Sequence, residues 1–182
     1  MLKRILSIYC IVVVSHSCSK TADFTDVKVD EHYELTVPEY LHPCTDLHKS
    51  AAVQFQSTDN DIYLIVIDEK KSIIHNMGMY YTLKTYNSTI LKQSFLSQIK
   101  NVTKDSIPVT MQIGTNKAVI TNIKGDVNNQ HVFYKLAVIE TPASFYQIIV
   151  WTRADKKEHF ENNMLKIIQS FREVAKTDIT TK

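Results

Sequence analysis

The run Ile62-Tyr63-Leu64-Ile65-Val66-Ile67 decides the fold of this chain of 182 residues. Its six successive apolar residues, most of them β-branched, are typical of a central strand that is covered on both faces. The run from Phe145 to Trp151 is the most β-prone in the chain and predicts another strand. A sheet with such strands needs a packing layer on each face, and the rest of the chain must supply both layers.

Shorter runs on either side of these two predict the remaining strands, because apolar and polar residues alternate in them. Pro38 stops the first of these runs, and Gly114-Thr115-Asn116 turns the chain between two later ones. The segment 125–129 is expected to join a hairpin. The additional predicted strands are Tyr33–Pro38, Ala52–Ser57, Val109–Ile113, Ala118–Ile123 and Val132–Ile139.

Two segments carry the longer period of an amphipathic helix. In the segment Thr82–Val102 the apolar residues Leu91, Phe95, Ile99 and Val102 recur at helical spacing. A second helix is expected to begin near Asp155, with Glu158 completing a capping box. Its apolar stripe consists of Phe160, Met164, Ile167, Ile168 and Phe171.

The order of three strands, a helix, four strands and a helix predicts an α+β fold. We expect a largely antiparallel sheet of about six or seven strands, covered by two main helices. All of these elements fall within residues 31–176, which are predicted to form a single domain. Residues 177–182 are a polar tail.

The first seventeen residues have the pattern of a secretory signal peptide, with Lys3 and Arg4 before a ten-residue apolar stretch. Such a stretch spans about 15 Å as a helix, half of the ~30 Å hydrocarbon core of a bilayer. Cys18 follows Ser17 and resembles the lipidated cysteine of a bacterial lipoprotein. Ordinary cleavage near Ser17, with a free or disulfide-bonded Cys18, remains the alternative. Residues 18–30 are expected to be a flexible tether.

The balance of basic and acidic residues argues against nucleic acid as a partner. Without Lys3 and Arg4, 19 of the 21 Lys and Arg residues remain, and they balance 19 Asp and Glu residues. A nucleic-acid-binding protein normally concentrates its basic residues into a stripe. The three isolated Gly residues cannot build a phosphate-binding loop, and no cofactor is expected.

The densest cluster of ligand-type side chains is His42, Cys44, Asp46 and His48. Imidazole, thiolate and carboxylate groups all bind zinc, and alternate spacing would place the four on one side of a strand. Pro43 and the turn-like context favour a surface loop instead. Both interpretations remain open.

A second candidate surface is formed by Met77, Met79, Tyr80 and Tyr81, which lie between a strand and a helix without a predicted buried role. We expect them to form a contact surface or a pocket wall. The acidic pair Asp68 and Glu69, at the end of a strand, is expected to be solvated turn residues.

The order of elements resembles the Mog1/PsbP-like fold, a group that includes DcrB-like bacterial lipoproteins. The similar features are an opening strand ending in Val37-Pro38, the segment from Asp46 to Phe55 leading into Ile62–Ile67, and the segment Phe145–Thr152 before a helix that finishes at Phe171. The likeness covers residues 32–174. It implies an α/β/α sandwich and a binding or assembly role without shared catalytic residues, and no functional residue is carried over.

The leading hypothesis is a non-catalytic envelope lipoprotein that binds or scaffolds a protein partner at the membrane surface. The chain would be exported and anchored through Cys18 in the bacterial cell envelope, on the periplasmic or outer-membrane face. One alternative is a periplasmic module that binds a small ligand or a metal, and another is an unrecognised hydrolase. Whether the chain is an enzyme stays open at this level.

Overall fold

The computed structural model describes residues 22–29, 32–95, 97–104 and 107–174. The strands of this part of the chain are β1 Phe24–Val29, β2 Tyr33–Pro38, β3 His42–Pro43, β4 Val53–Ser57, β5 Ile62–Lys70, β6 Lys100–Lys104, β7 Val109–Ile113, β8 Asn116–Val127, β9 Gln130–Glu140, β10 Ser144–Arg153 and β11 Arg172–Glu173. The helices are α1 Lys71–Asn76, α2 Leu83–Ile90 and α3 Lys157–Gln169. A π-helical turn, Leu91–Phe95, extends α2, and a 3₁₀ turn, Ala154–Lys156, precedes α3.

The strands form two sheets with antiparallel pairing throughout. The large sheet has eight strands in the order β3-β4-β5-β10-β9-β8-β6, with β7 paired to β8. The small sheet has the order β1-β2-β11. The predicted α+β class with a largely antiparallel sheet is confirmed, and the large sheet exceeds the predicted size. The two short strands β3 and β6 account for this, because their residues are mostly polar and show no alternation.

Strand β10 separates the two cores of the molecule. Tyr146, Ile148 and Val150 point into one core, whereas Phe145 and Ile149 belong to the other. Successive side chains of a strand point to opposite faces, so a strand that is apolar at every position must be covered twice. The central position of β10, between β5 and β9, follows from this requirement.

Helix α3 and the small sheet cover the first face. Phe160, Met164 and Ile167 of α3 are buried against the large sheet, as the apolar stripe predicted. Tyr33 of β2 links the layers, because its ring lies 5.1 Å from that of Tyr146 and 5.5 Å from that of Phe171. This face contains the larger of the two hydrophobic clusters.

Helices α1 and α2 cover the second face. Thr82 begins α2 with a capping box, in which its hydroxyl accepts from the Thr85 backbone N–H and the Thr85 side chain accepts from the N–H of Thr82. Leu83, Tyr86 and Ile90 point from α2 into the second core. Because α2 is only eight residues long, it leaves part of this sheet face open.

Residues Phe24–Val29, which we expected within the tether, instead form β1 and pair with β2 from Phe24↔Pro38 to Val29↔Tyr33. The sequence of β1 shows no alternation, since Phe24, Val27 and Val29 are unevenly spaced. β1 is extended because it pairs with the edge of β2. This is a tertiary contact, and the residues of β1 alone do not predict it. The folded part of the chain therefore begins before residue 31.

The helix expected over Thr82–Val102 ends early, and Val102 lies in β6. Strand β8 has twelve residues, and β7 pairs only with its first half, from Asn116 to Ile120. The backbone of the second half is available to β6, which pairs Lys104 with Ile123. Residues 100–104 therefore form a strand by pairing with the edge of β8, although the spacing of the apolar residues that lead up to Val102 fits a helix. Helix α1 was not predicted, because six residues are too few to show a period.

The predicted cap of α3 is wrong, because the Asp155 carboxylate accepts hydrogen bonds from Arg153 Nε and Nη2 at 3.1 and 2.7 Å. The helix begins two residues later, at Lys157. The hairpin turn expected over 125–129 is also shorter. Only Asn128 and Asn129 lie between β8 and β9, with φ of 51° and 64°, as a type I′ turn requires.

Gly125 allows β6 to approach β8. A Cβ atom at this position would lie 2.9 Å from the Lys100 carbonyl oxygen and would overlap the Ile99 side chain. We expect Gly125→Ala to lower the free energy of unfolding by about 1–3 kcal/mol, because β6 must move to accept the methyl group. Urea denaturation followed by circular dichroism measures this change.

The matched control is Gly114→Asn, at a turn with φ of 58° and no atom within 4 Å of an added Cβ. Asn tolerates this left-handed conformation, so the control should stay within about 1 kcal/mol of the unaltered protein. Equal stability of the Gly125→Ala variant and the unaltered chain would contradict the close approach.

Candidate functional site

A groove opens on the part of the second sheet face that α2 leaves uncovered. We call it the sheet groove; its volume is about 710 Å³, within the range of about 300–1,000 Å³ typical of ligand sites. Its floor is formed by side chains of β5, β9 and β10: Ile65, Ile67, Tyr134, Gln147, Ile149 and Trp151. One wall is the connection between β3 and β4, with Leu47, His48 and Ser50. The opposite wall consists of Ile90, Gln98, Ile99, Val127 and Asn128.

Polar groups close one end of the sheet groove. The Tyr86 hydroxyl donates to Glu69 Oε2 at 2.6 Å and accepts from Gln147 Nε2 at 2.9 Å. Tyr86 is almost fully buried, and its ring stacks on Phe145 with 4.2 Å between centroids. Burial, followed by the hydrogen bond to Glu69, raises the pKa of Tyr86 above its usual value. The phenol therefore stays protonated and holds the carboxylate in place.

Aromatic rings close the other end. Trp151 lies on β10 directly between its cross-strand partners, Tyr63 on β5 and Tyr134 on β9. The ring centroids are 5.3 Å from Trp151 to Tyr63 and 6.0 Å from Trp151 to Tyr134. The three rings therefore form a continuous aromatic row across β5, β10 and β9 at this end of the groove. Burial raises the pKa of Tyr134 to about 12.

The two ends are separated by the length of an extended segment. Glu69 pairs with Phe145, and Trp151 lies six residues further along β10. At 3.3 Å per residue this distance is about 20 Å. Ile65, Ile67 and Ile149 line the floor between the ends. The groove is therefore elongated, and the middle of its floor consists of these three isoleucines and the side chain of Gln147.

The structure does not bring the predicted metal ligands together. His42, Asp46 and His48 are exposed, whereas Cys44 is partly buried, and burial raises the pKa of its thiol. In the described part of the chain, no three His, Cys, Asp or Glu side chains are close enough to share a metal ion. Gln54 organises this loop, because its Oε1 accepts from the backbone N–H groups of Leu47 and His48.

His48, Ser50 and Glu69 all line the sheet groove, but their hydrogen bonds do not form a catalytic triad. His48 Nδ1 accepts from the backbone N–H of Ser50 at 3.2 Å, so this nitrogen carries no proton for a carboxylate. In a triad the same nitrogen donates to the acid. Glu69 is bound to Tyr86 instead.

The segment Met77–Tyr81 connects α1 to α2 and is largely exposed. The exposed fractions are 66% for Met77, 38% for Met79 and 77% for Tyr80. Tyr81 differs, because it is partly buried and its ring meets that of Tyr86 edge-on at 5.7 Å. The segment thus reaches the polar end of the sheet groove through Tyr81.

Cys18 lies outside the described residues. No helix in the described ranges has the length and apolar character needed to cross a bilayer.

Sequence reasoning missed the sheet groove because five separate segments meet there. Glu69 in particular was expected to be a solvated turn acid, but β5 continues to Lys70 and places its side chain on the groove face. The available signal was the alternation of Tyr63, Ile65, Ile67 and Glu69 along β5, which puts all four on one face. Without the register against β10, that alternation did not indicate a site.

Removal of the Tyr86 hydroxyl tests the polar end. We expect Tyr86→Phe to lower the free energy of unfolding by about 1–3 kcal/mol, because the buried amide of Gln147 loses its acceptor. Gln147→Met in the same background should recover part of this loss, since no unpaired donor then remains. Urea denaturation of the two variants measures both changes.

The control is Tyr80→Phe, at an exposed position, which should change stability by less than about 0.5 kcal/mol. Equal effects of Tyr86→Phe and Tyr80→Phe would contradict the hydrogen-bonded arrangement.

No protein-family model matches this sequence, and no curated protein matches it. Solved structures do resemble it. Ran-binding protein Mog1p of Saccharomyces cerevisiae has a TM-score of 0.56 at 11% identity, with 85% of this chain and 97% of that chain covered. Cyanobacterial PsbP (CyanoP) from Synechocystis sp. PCC 6803 has a TM-score of 0.54 at 12% identity, with 88% and 98% covered.

A third similar structure is LpqN of Mycobacterium tuberculosis, described as involved in cell envelope biogenesis. Its TM-score is 0.58 at 12% identity, and the match covers 84% of this chain and 91% of LpqN. Identities this low establish the architecture and not the activity. The chain therefore has the Mog1/PsbP-like fold.

Proposed function

We propose that this protein is a non-catalytic lipoprotein of the bacterial cell envelope, and that it binds a protein partner in the sheet groove. The observation that carries the proposal is the groove itself, an elongated channel with isoleucines on its floor, polar side chains on its walls and a fixed carboxylate at one end. The hydrogen bonds of His48 favour binding over hydrolysis, since they do not prepare a nucleophile. LpqN, which has a similar structure, is involved in cell envelope biogenesis, and this supports the proposal.

The exposed segment Met77–Tyr81 extends the proposed partner surface. It adjoins the polar end of the sheet groove through the contact of Tyr81 with Tyr86. Exposed methionine and tyrosine side chains are common at protein interfaces, because they combine apolar area with adaptable geometry.

Anchoring at Cys18 would hold the domain close to the bilayer. Phe24, the first residue of β1, follows Cys18 by six positions, a stretch that reaches at most about 22 Å when fully extended. Strand β1 belongs to the small sheet on the first face, whereas the groove opens on the second face. A partner could therefore enter the groove while the anchor is engaged.

A small-ligand-binding module is the second candidate, and the groove volume of about 710 Å³ favours it. This volume holds a drug-sized ligand. The two candidates differ in what occupies the groove in the cell, so they are separable by cross-linking.

Replacement of the proposed lipidation site tests the anchor. We expect Cys18→Ser to move the protein from the membrane fraction to the soluble fraction, because the acyl chains supply the membrane affinity. Mass spectrometry of the unaltered protein should show a mature N-terminus at Cys18 with the added mass of the lipid. Cys44→Ser is the control and should stay with the membrane. A Cys18→Ser protein that remains membrane-bound contradicts the anchor.

Site-specific photo-cross-linking tests the groove. A benzophenone amino acid in place of Gln98, on the rim of the sheet groove, should give a discrete protein adduct in intact cells. The same amino acid in place of Asn162, exposed on α3 at the opposite face, should not give that adduct. Identical adducts from both positions, or none from Gln98, would contradict a protein partner in the groove.

A further inference from the structure

The charge that lines the sheet groove is negative. Among its described lining residues, Glu69 is the only Asp, Glu, Lys or Arg. Tyr86 occupies one oxygen of this carboxylate, Oε2, and within the described ranges no donor is paired with Oε1. The carboxylate is therefore fixed in position with one acceptor atom left over, at the end of an otherwise uncharged channel.

A ligand that covers Glu69 must compensate its charge. Removing a carboxylate from water costs several kcal/mol unless a donor or an opposite charge replaces the lost hydration. Lys and Arg side chains do so with charge-assisted hydrogen bonds, which are shorter and stronger than neutral ones. A second carboxylate at the same place would add repulsion. The nearby ammonium of Lys71, 4.8 Å from the Phe145 ring centroid, pairs with Glu140 at 2.9 Å and not with Glu69. The uncompensated carboxylate therefore favours a cation at the polar end.

The remainder of the groove selects an extended apolar segment. The two ends lie about 20 Å apart, a distance that some six extended peptide residues span. Between them the floor offers Ile67 and then Ile65 beside Ile149, at two successive positions on this face of the sheet. Gln147, although 97% buried, lies in this floor and uses Nε2 for Tyr86. No described donor is paired with its amide oxygen, which can therefore accept from a peptide N–H.

We propose that the sheet groove binds an extended peptide segment of its partner, about six residues long, with apolar side chains over the isoleucines of the floor and one Lys or Arg whose cation pairs with Glu69. This inference rests on the proposed function and specifies its partner. The peptide backbone satisfies the amide of Gln147, and the apolar side chains contact the isoleucines of the floor. The basic side chain lies at the Tyr86 end and not at the Trp151 end.

Trp151 provides a direct measurement, because it is the only tryptophan in the chain and lines the groove. The test uses the full chain reconstituted in phosphatidylcholine vesicles and titrated with capped hexapeptides of alternating valine and threonine. One terminal residue of each hexapeptide is lysine, and a peptide is made for each end. Matched peptides carry norleucine or glutamate in place of lysine.

Of the two lysine peptides, we expect the one whose lysine reaches Glu69 to give a saturable change in Trp151 fluorescence. The matched peptide with norleucine at the same position should bind with about tenfold lower affinity, and the one with glutamate with lower affinity still. Glu69→Gln should abolish the preference for lysine over norleucine. This substitution keeps an oxygen acceptor for the Tyr86 hydroxyl, so the groove geometry is retained. Glu158→Gln, at an exposed position on α3, is the matched control and should leave the preference unchanged.

Three results would overturn the inference. They are equal affinity for the lysine, norleucine and glutamate peptides, a lysine preference that survives in Glu69→Gln, and no saturable response to any peptide. A saturable response to 1-decanol without a response to peptides would assign the groove to an acyl chain instead. If Gln98 still cross-links a protein while the lysine preference is absent, the protein-binding function stands and only the cationic specificity fails.

Discussion

The alternation of side chains along β5 and β10 is the constraint on which the whole structure depends. Each strand is apolar on both faces, so neither face can remain in water without a large loss of burial energy. Ile62, Leu64 and Val66 of β5 enter the first core, and Ile65 enters the second. The first face is covered by α3 and the small sheet. The second face receives a shorter helix, and the uncovered remainder becomes the sheet groove.

The polar end of the groove couples this architecture to the proposed site. Tyr86 belongs to the second core, where its ring stacks on Phe145, but its hydroxyl binds Glu69 and Gln147 at the groove. A buried polar network of this kind is stable only when its members are satisfied, so it also fixes their geometry. The packing of α2 on the sheet therefore positions the carboxylate. The fold and the proposed recognition of a ligand thus both depend on Tyr86.

The elements that the sequence predicted correctly are those whose own residues determine their form. The stripe of α3 from Phe160 to Ile168 and the runs of β5 and β10 are strongly apolar, and they have the expected structure. Phe171 is buried as expected but lies just beyond the end of the helix. The elements that were missed depend on partners distant in sequence. β1 needs the edge of β2, and β6 needs the unpaired half of β8. Asp155 has the sequence of a helix cap, but the guanidinium of Arg153 binds its carboxylate.

The same distinction explains why the candidate site could be predicted only in part. The exposure of Met77, Met79 and Tyr80 follows from a local excess of apolar residues that no period places inside. The groove does not follow from any single segment, since Glu69, Tyr86 and Gln147 meet only after the sheet has formed. The 42–48 segment shows the converse: its four ligand-type side chains are close in sequence, yet Gln54 holds the backbone of the loop and the side chains do not converge. Proximity along the chain is thus a weak guide to a site, because convergence depends on the register of strands that lie far apart in sequence.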